Sequence, residues 1–373
     1  MPTTMRIIVS ALTLSLVACG GMPSGADGGC EVTLTGAYPD TTFATAAANE
    51  VAMLGRLNAF SAPLRNAALD AGFTVTRAEL NTLFTAGTPS LSTSMTPGFQ
   101  ATLDETLTAF IAAQGKTFTP TNPSVGTGGI FGTGTTSYVL SEKGVDLREV
   151  ADKGFYGAVF YAEAAKRVPT ATTPESIDQL VALFGANPTF QQSDTAATGK
   201  DELAAKYAKR RTPAGGPGSY VVIRDAFVRA RRAATSSSAA CSAERAAALE
   251  TVKLEWERAL ASTVIFYVNS AATKLQDASA DTTKKASALH DLGEGVGFFI
   301  GLKAVPQANR KITDAQLEQV LTAMRTPTLS GSTLFRLVTD TPADVDGLLM
   351  ANTRIQQAYG FTADEMTRFK TNY

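Results

Sequence analysis

One histidine, one tryptophan and three cysteines are spread over 373 residues. A single histidine argues against a zinc site of the usual kind, which draws on two or more His or Cys ligands. No His-Glu-x-x-His pair and no Gly-x-Ser-x-Gly elbow occurs, so the common hydrolase signatures are missing. Neither sign of charge is in excess: 33 Lys and Arg face 34 Asp and Glu, a net charge of −1. That balance gives no electrostatic reason to expect nucleic acid or an anionic membrane surface as a partner. Beyond the amino-terminal segment, no run of about 18 apolar residues marks a membrane-spanning helix. Strand signals are scarce too; "CEVTLTG" (30–36) is the best and "SYVLS" (137–141) the next.

The amino terminus is rich in what an export signal needs. Arg6 precedes "IIVSALTLSLVA", an apolar run of about a dozen residues, right for a signal peptide and too short to span a bilayer. Leu16, Val17, Ala18 and Cys19 resemble a bacterial lipobox, which implies cleavage after residue 18 and acylation of Cys19. Two or more acyl chains anchor a protein to the bilayer where one would not. Gly20 follows the cysteine, and by resemblance to other lipoproteins that favours the outer over the inner membrane. Residues 20–36 read as a flexible tether, since "GGMPSGADGG" has little to bury. Cys30 and Cys241 are then left. An exported compartment permits a disulfide between them, but two separate thiols fit equally well.

From residue 37 onward the apolar period is helical. Thr76 and Glu79 form a capping pattern before "LNTLF", and Gly87 follows the expected end. The glycine-rich stretch 119–138 lacks the Lys-Ser/Thr of a phosphate loop and reads as a surface loop or short hairpin. The longest helix is expected over 242–276, opening at Ser242, with Leu249, Val252, Trp256, Leu260, Thr263 and Tyr267 as its core seam. The expected fold is all-α in one or two antiparallel bundles, with at most minor short strands.

His290 lies in "SALHDLGEGVGFFIG". On a helical wheel, His290 and Glu294 share a face with Gly297 and Gly301, flanked by Gly293 and Ala286. Leu289, Leu292, Val296, Phe299, Ile300 and Leu302 occupy the other side. Each interior glycine costs about 0.8–1.0 kcal/mol against alanine. A face of small residues is better explained by a second backbone coming close than by water. His290 and Glu294 are therefore expected at a helix contact, where a buried carboxylate needs a partner. Three readings stay open: a structural lock, a metal site completed by carboxylates of another helix, or acid–base and small-ligand chemistry.

Five stretches in order resemble one family. They are "KGVDLREVADKGFYGAVFY", "LVALFGANPTF", "IRDAFVRARRAA", "LEWERALASTVIFYVNSA" and "ALHDLGEGVGFFIGL", all within about 140–305. They resemble the imelysin-like family of bacterial lipoproteins (domain of unknown function 4856), distantly related to the imelysins. The resemblance implies two packed antiparallel helical bundles over 37–373, divided near 120–140, and export with lipidation. Among the imelysins themselves, some are tied to iron uptake and some were called peptidases. Imelysins space the His and Glu three apart; here the spacing is four, and Gly293 stands where the family usually has serine. The pair that transfers by position is His290 and Glu294.

These readings combine into one expectation. The chain is a lipid-anchored envelope protein, more a binding component than an enzyme. A divalent metal or iron at His290 and Glu294, or an envelope protein in uptake, is its expected partner. A structural or interaction module is the alternative, and a hydrolase the third.

Overall fold

The computed structural model describes residues 29–32, 34, 38–39, 41–121, 126–190, 200–340 and 343–373. The signal peptide, Cys19 and most of the tether lie outside the described residues. The described chain is all-α, with one two-stranded antiparallel sheet. None of the described helices is long and apolar enough to cross a membrane.

Local chemistry sets the helix ends. Thr76, Thr173, Thr313 and Thr362 each cap a helix reciprocally with the residue three positions on, which satisfies two otherwise orphaned donors. The Pro174–Phe184 helix stops at Gly185, whose φ of +84° is left-handed and suits glycine. The longest helix runs Ala239–Gln276, not from Ser242. Ser238 is the real cap: its hydroxyl accepts the Cys241 N–H at 3.1 Å. Ser242 already lies inside, because a serine followed three residues later by arginine cannot form the reciprocal box. At 38 residues the helix is about 57 Å long, and all six seam residues are buried.

The sheet is a hairpin of Gly129–Phe131 with Tyr138–Leu140, in register Gly129↔Leu140. It takes up part of the glycine-rich stretch and the "SYVLS" signal. The described residues of 30–36 form no strand. The hairpin falls at the expected boundary near 120–140, and the buried apolar side chains on both sides of it join in one core from Tyr38 to Phe369.

Buried polar groups tie the helices together. Glu257 of the long helix accepts from Tyr161 Oη at 2.6 Å, Tyr359 Oη at 3.1 Å and the amide of Lys311 at 2.7 Å. Asp178 accepts from Tyr38 and Thr42 Oγ1 and from Arg231 Nε at 2.8 Å, which fastens the amino-terminal segment to the body. Cys30 and Cys241 form a disulfide that staples the same segment to the start of the long helix.

Candidate functional site

Two helices cross closely enough to put backbone against backbone. The helix carrying His290 spans Thr282–Lys303 and is capped by Asp281, whose carboxylate accepts the Lys284 N–H at 2.8 Å. Its partner spans Leu147–Phe155 and is capped by Asp146, which accepts the Glu149 N–H at 3.2 Å. A Cβ on Gly293 would lie 2.6 Å from Asp146 Cβ, one on Gly297 2.5 Å from the Glu149 carbonyl oxygen, and one on Gly301 2.4 Å from that of Gly154. Real Cβ atoms do not approach so closely, so the three glycines are what lets this crossing exist. The expected close neighbour is thus the Leu147–Phe155 helix. Directly after it the chain widens into a π-helical stretch, Tyr156–Tyr161, in which Gly157 faces Gly301. Such widened turns recur at functional sites.

The crossing gathers ionisable groups from four elements. His290 Nδ1 lies 2.9 Å from Asp146 Oδ2 and 3.8 Å from Glu149 Oε1. Its Nε2 lies 3.4 Å from Glu294 Oε1. The Tyr138 ring, from the hairpin, stacks on the imidazole with centroids 4.2 Å apart and planes 12° from parallel. Tyr207 Oη, from the Leu203–Arg210 helix, donates to Glu294 Oε2 at 3.4 Å. Asp146 thus serves twice, with Oδ1 capping its own helix and Oδ2 orienting the histidine. His290 and Glu294, singled out from the sequence, are neighbours here. Asp146, Glu149, Lys153, Arg148, Tyr138 and Tyr207 are additions that sequence reading missed. The signal available was Asp146, Glu149 and Lys153 at a 3–4 spacing on one stripe of a short helix that also carries Arg148 and Asp152.

Two cations enter the same cluster. Arg148 pairs with Glu149 Oε1, while Lys153 Nζ lies 3.0 Å from Glu149 Oε2 and 2.7 Å from Asp152 Oδ2. The Lys153 contact to Glu149 has ion-pair distance but not hydrogen-bond geometry, so Oε2 is buried without a hydrogen-bond partner. Burial alone would push the Glu149 carboxyl up; the charges of Lys153, Arg148 and His290 overcome it and hold the group down at about 2. Glu294 goes the other way. Burial outweighs the charge of Lys153, Glu149 adds repulsion, and the carboxyl is pushed up to about 8. Similar burial thus meets opposite balances of charge at the two carboxyls, which lowers one and raises the other. Burial raises the Tyr138 phenol to about 12, with Asp146 adding to it.

One oxygen each from Asp146 and Glu149 and one nitrogen of His290 lie within 4.8 Å of one another. Ligands held about 2.0–2.2 Å from one ion sit roughly 3–4 Å apart, so the observed 2.9 and 3.8 Å separations suit a shared cation. Glu294 reaches the opposite nitrogen of the ring and stands outside that trio. The groups facing His290 among the described residues are carboxylates and an aromatic ring. No family model, no curated protein and no solved structure matches the chain.

Proposed function

We propose that this chain is a binding protein for a divalent metal ion, iron among the candidates, held by Asp146, Glu149 and His290. The observation that carries the reading is the trio of ligand atoms within 4.8 Å, placed at a crossing that glycines keep closed. Two carboxylates and one imidazole suit iron, manganese or zinc by ligand type. Glu294 and Tyr138 act around the trio: one holds the far nitrogen of the ring, the other covers its face. A metal ion would bring positive charge to a cluster in which three carboxylates besides Glu294 (Asp146, Glu149, Asp152) face two fixed cations (Arg148, Lys153). The lipobox-like residues 16–19 support an envelope-anchored setting, with the bilayer as partner through acylated Cys19. The ordered motif resemblance to imelysin-like lipoproteins belongs to the same proposal.

A second reading has its own observation. Arg148 and Lys153 both already lie on Glu149, so the cluster also suits a purely structural lock. Metal titration separates the two. Purified, chelator-treated protein is expected to bind one equivalent of iron(II), manganese(II) or zinc(II) and to gain thermal stability. His290→Gln and Asp146→Asn are expected to weaken that binding about 100-fold or more, since even outer-shell substitutions cost 10–100-fold. Absence of stoichiometric binding, or variants that only lose stability, would establish the lock instead.

A further inference from the structure

A cavity of about 550 Å³ opens beside the Leu203–Arg210 helix. Lys200, Lys206, Lys209 and Arg210 border it, against Asp201 and Glu202. Of these two carboxylates, Asp201 is already committed to partners within the fold. Asp201 is buried, accepts the Asn187 amide and Tyr220 Oη, each at 2.8 Å, and pairs with Lys209 at 3.2 Å. Lys206 and Arg210 are one helical turn apart and share a face. Among the described residues no carboxylate lies within ion-pair distance of either. Instead they crowd other cations: Lys206, Arg210 and Lys153 all stand over the Tyr207 ring, at 6.0, 5.7 and 5.9 Å. Burial, then the positive charges of Arg210 and Lys153, push the Lys206 ammonium below its usual range.

Like charges held together beside a cavity need a reason. An exposed helix can turn its basic residues apart into water. These two are half-buried and held over one aromatic ring. A volume near 550 Å³ falls in the range of small-ligand sites. An arginine fork beside a lysine point charge matches the two-oxygen edge of a carboxylate or phosphate. We infer that this cavity binds a small polyvalent oxyanion, with Lys206 and Arg210 as its principal charge contacts. The inference does not depend on the metal reading, which uses other residues.

Calorimetric titration of the full chain at low ionic strength tests it, with citrate as the carboxylate probe, pyrophosphate as the phosphate probe and chloride as the ionic control. One-site saturable binding of citrate or pyrophosphate is expected, and the tighter of the two names the chemistry. Lys206→Gln and Arg210→Gln are each expected to weaken it about tenfold or more. Lys166→Gln, which removes an exposed positive charge that does not border the cavity, is expected to leave it within about twofold of the unaltered chain. No saturable binding of either probe, or equal affinity in the double variant, overturns the inference. Should a variant fail to fold, the unaltered chain still decides: its affinity must fall steeply as salt rises, and an affinity indifferent to salt overturns the site.

Discussion

Gly301→Ala is expected to lower the stability of the chain by about 3 kcal/mol, although alanine is the better helix former. The two effects have opposite signs and unequal sizes. Helix propensity alone favours alanine by about 0.8–1.0 kcal/mol. Against this, the new methyl group would lie 2.4 Å from the Gly154 carbonyl oxygen and 3.0 Å from Gly154 Cα. Backbone cannot swing aside as a side-chain tip can, so the two helices must separate along their whole contact. Separation would draw His290 and Glu294 away from Asp146 and Glu149, and the loss of stability should come with a loss of metal affinity. Gly55→Ala supplies the control. Gly55 lies in the Ala48–Leu69 helix, and a methyl group added there would meet nothing within 4 Å. Its substitution should raise stability by up to about 1 kcal/mol. Urea denaturation of the two variants checks the pair. Equal gains in both would show that the crossing is not closed by glycine.

That contrast also explains what could be read without the fold. Gly55 and Gly301 are both helical glycines, and no local rule separates them. What set Gly301 apart was company: Gly293, Gly297, His290 and Glu294 on one wheel face, opposite a full apolar face. Periodicity carries that information, because it is a property of one helix. It therefore reached the close contact and the face of the pair, as it reached the all-α class and the buried seam of the long helix. Asp146 and Glu149 were out of reach for the opposite reason. They lie 144 and 141 positions before His290 in the chain, and no period links two helices so far apart. Asp146 was further disguised, since an aspartate just before an apolar helix is fully explained as a cap. Lys153 and Arg148 look from sequence like a solvated charged face. Only the fold shows that their helix is packed against Gly297 and Gly301 and that the charges have been carried inward.

Lys153→Met is the substitution that divides the metal reading from the lock most sharply. The ammonium lies within 3.0 Å of Glu149 and 2.7 Å of Asp152. Burial works against its charge, yet those two carboxylates hold the group well above its usual range. Methionine keeps most of the volume and removes the charge. Glu149 and Asp152 would then share fewer compensating charges in a buried cluster, and removing one partner from such a pair costs about 3–5 kcal/mol. Both readings agree on that loss. They disagree about metal. If Glu149 ligates an ion, Lys153 competes for the same oxygen pair, and two positive charges a few ångströms apart oppose each other by several kcal/mol even at an effective dielectric constant of about 20. Removing the ammonium should therefore tighten binding of manganese(II) or zinc(II) by about tenfold or more, and saturating metal should restore much of the lost stability. A lock has no such compensation: the variant would melt early and metal would not rescue it. Thermal denaturation with and without added metal reads both quantities. If Lys153→Met does not fold, Lys153→Gln retains a polar group beside the two carboxylates and carries the same predicted reversal at smaller amplitude.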